Sequence, residues 1–214
     1  MEALQRQEAV RVGVRLEIVT VAWMAVEAVL AIAAGIAARS VLLAAFGFDS
    51  VIELISGVTL LWRLSSEARG ASAERGEALE RRAIQISAVL LVLLCLFLVF
   101  VGSAGLVARL RPEGSALGVG VSAAAVLVMP ILAWRKTRVN VTIGSPALRA
   151  DIAETITCAY MAAATLAGVA LNLIAGWWWA EYAAALALLV FIVLEAKEAI
   201  ESVRDGDHDR AKSA

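Results

Sequence analysis

The stretch that decides the fold is SVLLAAFGFDSVIELISGVTLLW, residues 40–62. It is long and apolar enough to cross a bilayer, because a membrane-spanning helix needs about 20 mostly apolar residues. Yet it carries two carboxylates in its middle, Asp49 and Glu53, which lie four residues apart. The stretch therefore predicts a transmembrane helix with an acidic face, and the two acids need a physical explanation.

The rest of the chain is equally apolar. Hydrophobic residues make up 61% of the 214 residues and the mean hydropathy is +0.82, whereas soluble domains are about 45–50% apolar. We predict an all-α, polytopic membrane protein with six transmembrane helices, which lies in the lipid bilayer of the cell membrane. The six apolar runs are Leu16–Ala38, Val41–Leu64, Ala83–Ala108, Leu117–Trp134, Pro146–Ile174 and Trp178–Ile200.

The basic residues predict the orientation. With six spans both termini lie on one side of the membrane, and all but Arg39, Arg109 and Arg111 of the 19 lysines and arginines fall in segments on that side. The positive-inside rule then places both termini in the cytoplasm. We expect a cytoplasmic tail at 1–15, a transporter domain at 16–202 and a short cytoplasmic tail at 203–214.

Several function classes are disfavoured by composition. The net charge of −1 argues against a nucleic-acid partner. Cys95 and Cys158 both lie in apolar runs and make no disulfide framework. The first residues do not resemble a cleaved signal peptide, because the apolar run that follows them is long enough to span the membrane.

The acidic face of residues 40–62 favours a cation. Asp49 and Glu53 lie about one turn apart on one face of a helix, where two negative charges repel each other. A charge at membrane depth costs about 2.5–3.5 kcal/mol on an insertion scale. A divalent cation between the two carboxylates removes both penalties. The alternatives are that both acids are protonated or that they pair with an arginine.

The fifth run offers a second set of ligands. Asp151, Glu154 and Cys158 follow one another at spacings of three and four, which places them on one helix face. With Asp49 and Glu53, the Glu154 carboxylate and the Cys158 thiol complete the four ligands of a tetrahedral metal site. Asp151 is a fifth ligand, a supporting base or an interfacial acid. Cys158 is alternatively a small core residue.

Two acids in the first run are assigned separately. Glu27 is deep in that run, where it belongs to the permeation path or pairs with another helix. Glu17 lies nearer the end of the run and is expected to be interfacial.

These residues carry a family resemblance. GIAARSVLLAAFGFDSVIELISG, residues 35–57, resembles the first loop and second helix of the cation diffusion facilitator (cation efflux) family. GSPALRADIAETITCAYMAAATLAGVALNLIAG, residues 144–176, is similar to the family's fifth helix. WWWAEYAAALALLVFIVLEAKEAIES, residues 177–202, resembles its sixth. The resemblance covers the whole chain and is specific over about half of it.

The resemblance implies a transporter that exports a divalent metal, Zn²⁺ or a related ion, from the cytoplasm in exchange for protons by alternating access. The metal is the substrate, and no prosthetic group is implied. Metal ligands must lose their protons to bind, so metal and protons compete for the same acids.

The chain departs from the family's pattern in two ways. Glu154 stands where the family has a histidine, and Cys158 stands where it has an aspartate. Carboxylates suit harder ions such as Mn²⁺, whereas a thiolate favours Zn²⁺, Cd²⁺ or Fe²⁺. The family's C-terminal cytoplasmic domain is expected to be lacking, so a homodimer would form through the membrane helices.

Three rival functions are open to test. The protein is a non-transporting metal-binding or accessory membrane protein, a channel or carrier of organic cations, or an enzyme. No catalytic triad can be built, because the only histidine, His208, lies in the predicted tail. We therefore predict that the protein is not an enzyme.

Overall fold

The computed structural model describes residues 2–68 and 74–213, with side chains from 6–66 and 85–201 except 87, 146 and 199. Helices are the only regular secondary structure in these residues. They are α1 (Glu2–Ala38), α2 (Val41–Ala68), α3 (Glu74–Phe97), a π-helical turn (Leu98–Gly102), α4 (Ser103–Val107), α5 (Ala116–Ile143), α6 (Pro146–Ala175) and α7 (Trp178–Ser213). The π-helical turn joins α3 and α4 into one continuous span.

The predicted six-span membrane fold is confirmed. Six helical segments of the described chain are long and apolar enough to cross a membrane, and they correspond to the six predicted runs. The helices extend further than the apolar runs, because a helix continues into the polar region for as long as its backbone hydrogen bonds close. α1 therefore includes most of the predicted tail at 1–15, and α7 continues through most of 203–214, where the side chains are outside the described set.

The fourth span shows the largest difference from the predicted boundary. The sequence places its end at Trp134, but α5 continues to Ile143. Lys136 is consequently part of a helix, and it is 1% exposed. It was expected in a cytoplasmic loop.

Helix α2 is the centre of the bundle. It packs against α1, α3, α6 and α7, and it is the most buried of the six spans. Its inward face includes Phe46, which is 0% exposed, and the acids Asp49 and Glu53. The outer faces of the bundle are apolar, as contact with lipid requires, with Val107, Val141 and Ile174 among the most exposed side chains.

Helices α1 and α2 approach each other closely at glycines. A Cβ atom on Gly35 would lie 2.6 Å from the backbone nitrogen of Ala44, and one on Gly47 would lie 2.7 Å from the Ile32 side chain. Small residues permit such close backbone packing in membranes, where no hydrophobic force drives helices together. The two glycines thus hold α2 against α1 and fix the position of its acidic face.

A buried polar cluster joins the helix ends on the side of the membrane opposite the termini. Ser40, which precedes α2, donates a hydrogen bond to Glu181 of α7. The Asn172 amide nitrogen of α6 donates to Glu181 Oε1 at 2.6 Å and to the Pro112 carbonyl at 3.0 Å. This cluster satisfies the Glu181 carboxylate and links α6 and α7 to the segments that precede α2 and α5.

We expect Gly35→Ala to destabilise the bundle, because its methyl group would meet backbone atoms that cannot move aside. Overpacking of this kind costs about 1–3 kcal/mol. Gly120→Ala on α5 is the matched control. Apart from its chain neighbours and the backbone of its own helical turns, no atom of the described chain lies within 4 Å of its added methyl group, and the change raises helix propensity by about 1 kcal/mol. Thermal unfolding of the purified protein in detergent measures both. Equal midpoints for the two variants would contradict the packing described here.

Candidate metal site

The acidic pair of α2 lies in the interior of the bundle. Asp49 is 1% exposed and Glu53 is 5% exposed. Within the described part of the chain, none of their four carboxylate oxygens has a hydrogen-bond partner. A buried polar atom without a partner is rare in folded proteins, and a buried carboxylate is the costliest kind. The pair therefore fits a bound cation better than it fits a structural role.

No arginine of the described chain donates a hydrogen bond to this pair. The charged groups that act most strongly on Asp49 are Glu195, Glu27 and Glu154, all of them acids. The negative charges of Asp49, Glu195 and Glu27 likewise repel the charge of the Glu53 carboxylate. The interior around the pair is consequently acidic, which attracts a cation.

Helix α6 brings its thiol to the same interior. Cys158 is 0% exposed, and its Sγ lies 3.8 Å from Glu27 Oε1, to which it donates a weak hydrogen bond. The thiol also lies beside Glu53, although no atom of that carboxylate accepts a hydrogen bond with full geometry. Glu154, one turn earlier on α6, is only partly buried. Three of the four predicted ligands are thus deep in the bundle.

Glu27 has protein partners. Its Oε2 accepts a hydrogen bond from Trp23 Nε1 at 2.7 Å, and its Oε1 accepts one from Ser50 Oγ at 2.7 Å. Ser50 follows Asp49 directly in the chain. These bonds hold the Glu27 carboxylate between α1 and α2, next to the Cys158 thiol, so it is a neighbour of the candidate ligands with its own hydrogen bonds.

Asp151 forms an ion pair with a lysine. Its Oδ2 lies 2.5 Å from Lys136 Nζ, and the same ammonium lies 2.9 Å from Glu17 Oε2. Glu17, which was expected to be interfacial, is 0% exposed. Asp151 therefore has a cation partner already, in contrast to Asp49 and Glu53.

One acid of the interior was missed by the sequence analysis. Glu195 of α7 is partly buried, and its Oε1 is buried without a hydrogen-bond partner in the described chain. It is the charged group that acts most strongly on Asp49. Its place in the apolar run VFIVLEA, residues 190–196, was the only signal in the sequence. The following Lys197 and Glu198 obscured that signal, since they suggest the end of a helix.

The candidate ligands share one interior but are not gathered into a finished coordination shell. Among the side chains that the structure describes, no three or more His, Cys, Asp or Glu residues converge closely enough to hold a metal ion. A metal would therefore have to draw Glu154 and Cys158 toward the α2 pair by changes of side-chain rotamer or helix position.

Comparison with protein families decides the class of protein. The model of the cation efflux transmembrane domain matches residues 18–205. This chain belongs to the cation efflux family. Comparison with curated proteins finds no significant match.

Membership of the cation efflux family makes this protein a transporter of divalent metal cations. Members of the family are transporters rather than enzymes. The buried acids of α2 are consequently at the centre of a cation efflux domain, in the part of the chain that the family model covers. Family membership identifies the class of substrate, and the buried acids and thiol of this chain are the candidate ligands.

We expect Asp49→Asn to separate metal binding from folding. The substitution removes a buried charge without a partner, so the metal-free variant should unfold at the same temperature as the native protein or a higher one. Added Zn²⁺ should stabilise the native protein by mass action and should not stabilise the variant. Thermal unfolding with and without Zn²⁺ measures both effects.

Glu181→Gln is the matched control for Asp49→Asn. It also removes a buried carboxylate, but this one is satisfied by Ser40 and Asn172. The control should lower stability without metal and should keep the full response to Zn²⁺. A full Zn²⁺ response in Asp49→Asn would show that Asp49 is not a ligand.

Proposed function

We propose that this protein exports a divalent metal ion, Zn²⁺ or a related ion, from the cytoplasm in exchange for protons by alternating access. The observation that carries the proposal is the set of four buried carboxylate oxygens on Asp49 and Glu53 that have no hydrogen-bond partner in the described chain. Family membership supports the substrate class, a divalent cation.

Charge balance favours a dication at this pair. Two ionised carboxylates about one turn apart carry two negative charges, and a single dication neutralises both. A monovalent cation would leave one charge uncompensated in the acidic interior. We therefore assign Asp49 and Glu53 as the primary ligands, with Glu154 and Cys158 as the ligands supplied by α6.

The contact between Cys158 and Glu27 supports proton coupling. A thiol must lose its proton to bind a metal, and Glu27 Oε1 is the hydrogen-bond acceptor of that thiol. In the proposed cycle Asp49 and Glu53 release their protons to the cytoplasm as the metal binds, and the Cys158 thiol passes its proton to the Glu27 carboxylate. On the far side of the membrane Asp49 and Glu53 take up protons and release the metal, and the Cys158 sulfur regains its proton from Glu27.

The atoms of the proposed ligands favour some metals over others. A thiolate beside two or three carboxylates suits Zn²⁺, with Cd²⁺ as a close mimic. If Cys158 only fills space, the site is made of oxygen atoms alone and suits Mn²⁺ or Fe²⁺ better. The homodimer, the cytoplasmic termini and the location in the cell membrane stay predictions.

Transport by the purified protein in liposomes tests the proposal. We expect Zn²⁺ to cross the membrane faster when the side opposite the metal is more acidic, because protons on that side discharge the ligands. Asp49→Ala and Glu53→Ala should each abolish this flux while the proteins still insert and purify. Glu113→Ala, which changes an exposed acid of the loop before α5, is the matched control and should transport normally.

Other outcomes of that experiment have definite meanings. Flux that ignores the proton gradient at fixed membrane potential would indicate a uniporter or channel. Metal binding without flux in any gradient would indicate a non-transporting metal-binding or accessory protein. Full flux in Asp49→Ala or Glu53→Ala would remove that residue from the site.

We expect Cys158→Ser to change the order of metal preference. Loss of the sulfur should weaken Zn²⁺ and Cd²⁺ relative to Mn²⁺, because the remaining oxygens are harder ligands. Competition between metals for transport, in the native protein and the variant, gives the order. Cys95→Ser is the control, since Cys95 is a partly buried residue of the third span. An unchanged order in Cys158→Ser would show that Cys158 only fills space.

A further inference from the structure

A second group of buried charges lies next to the α2 pair. Lys136 of α5 places its ammonium between two carboxylates, at 2.9 Å from Glu17 Oε2 on α1 and at 2.5 Å from Asp151 Oδ2 on α6. Lys136 is 1% exposed, Glu17 is 0% exposed and Asp151 is 6% exposed. We call these three residues the lysine cluster.

The charges of the lysine cluster do not balance. One ammonium faces two carboxylates, so the cluster keeps one net negative charge when all three groups are ionised. The imbalance is visible in the contacts of Glu17. Its Oε2 is paired with the ammonium by charge, but neither of its oxygens makes a hydrogen bond to a group in the described chain. A fully buried carboxylate is thus only partly satisfied.

The lysine cluster adjoins the candidate metal site. A Cβ atom on Gly57 of α2 would lie 3.2 Å from Glu17 Oε1. Gly57 is one turn beyond Glu53 on the same helix face, so Asp49, Glu53 and the Glu17 carboxylate follow one another along α2. The absence of a side chain at Gly57 leaves room for that carboxylate.

The cluster lies on the side of the membrane that holds the termini. Asp151 is in the second turn of α6, about 8 Å along the helix from its first residue, and Lys136 is about 10 Å from the end of α5, at a rise of 1.5 Å per residue. Both of those helix ends lie on the terminal side. Asp49, by contrast, is about 12 Å along α2 from its beginning on the opposite side. An ion moving from the terminal side would meet the cluster before Glu53.

The position of the ammonium suits a metal ion. Metal–oxygen bonds to carboxylates are about 2.0–2.6 Å long, close to the two contacts that Lys136 Nζ makes. A dication at the place of Nζ would reach both oxygens after small side-chain movements. It would also neutralise both carboxylates, which the single charge of the lysine does not.

We propose that Glu17 and Asp151 form a second dication site on the terminal side of the Asp49–Glu53 pair, in which Lys136 is the resident cation that a transported ion displaces. The inference rests on the proposed function for the class of ion. In this arrangement the lysine competes with the metal, so the ion passes through the second site without being retained. The lysine also neutralises one of the two negative charges of Glu17 and Asp151 between transport events.

Removal of the Lys136 ammonium should allow the second dication site to retain its metal ion. We expect Lys136→Ala to bind one more Zn²⁺ per chain than the native protein in equilibrium dialysis, so that the count rises from one to two. Adding Glu17→Gln to Lys136→Ala should weaken the additional site by about tenfold or more, because one of its two carboxylates is lost. Arg135→Ala is the matched control. It removes the same charge from the adjacent, exposed position on α5 and should leave the count unchanged.

The outcomes separate this proposal from the proposed function. Lys136→Ala in a chain that also carries Asp49→Ala and Glu53→Ala should still bind one Zn²⁺, and the loss of that ion with Glu17→Gln would assign it to the second site even if the α2 pair plays no part in transport. Folded Lys136→Ala protein with no additional Zn²⁺ would overturn the second site.

A second measurement leaves the lysine in place. Glu17→Gln in the otherwise native chain should slow Zn²⁺ flux in liposomes by about tenfold or more, while Zn²⁺ binding at the α2 pair stays unchanged. Native flux in this variant would overturn the proposal, whether or not Lys136→Ala yields folded protein.

Discussion

A carboxylate between membrane helices must be protonated, hydrogen-bonded or paired with a cation, because an uncompensated charge there costs several kcal/mol. The buried acids of this structure differ in how they meet this requirement. Glu181 is satisfied by Ser40 and Asn172, and Glu27 is held by Trp23 and Ser50. The acidic pair of α2 has no such partners in the described chain. The hydrogen bonds of Glu181 and Glu27 join helices, whereas the carboxylate oxygens of the α2 pair lack such bonds in the described chain and are available to a cation.

The architecture places the unsatisfied acids at the centre. α2 contacts four other helices, and the close approach at Gly35 and Gly47 fixes it against α1. The opposite-side cluster around Glu181 and the lysine cluster lie on either side of the α2 pair along the membrane normal.

Much of this fold and part of the site could be predicted from the sequence. Six apolar runs of the necessary length require six membrane helices, and two acids at a spacing of four require a shared helix face. The ligands from α6 followed from the same spacing argument, applied to Glu154 and Cys158. Their combination with Asp49 and Glu53 in one site was inferred from the number and kind of ligands that the two helix faces offer.

The burial of Lys136 and Glu195 inside the bundle could not be predicted in the same way. Both lie near the ends of apolar runs, where a hydropathy pattern cannot tell a helix that stops from one that continues. Lys136 is buried because α5 continues to Ile143 and packs against α1 and α6. That packing is a tertiary property, and it decides whether a charge near a helix end faces water or a partner. Glu17 was assigned to the interface for the same reason.

We propose that the acids of α2 hold the transported metal, and an anomalous-scattering map from crystals of the protein grown with Zn²⁺ tests this directly. We predict an anomalous peak between the carboxylates of Asp49 and Glu53, with the Cys158 sulfur about 2.3 Å from the metal. A fully occupied Zn²⁺ elsewhere in the bundle, with Asp49 and Glu53 hydrogen-bonded to protein groups, would contradict the claim.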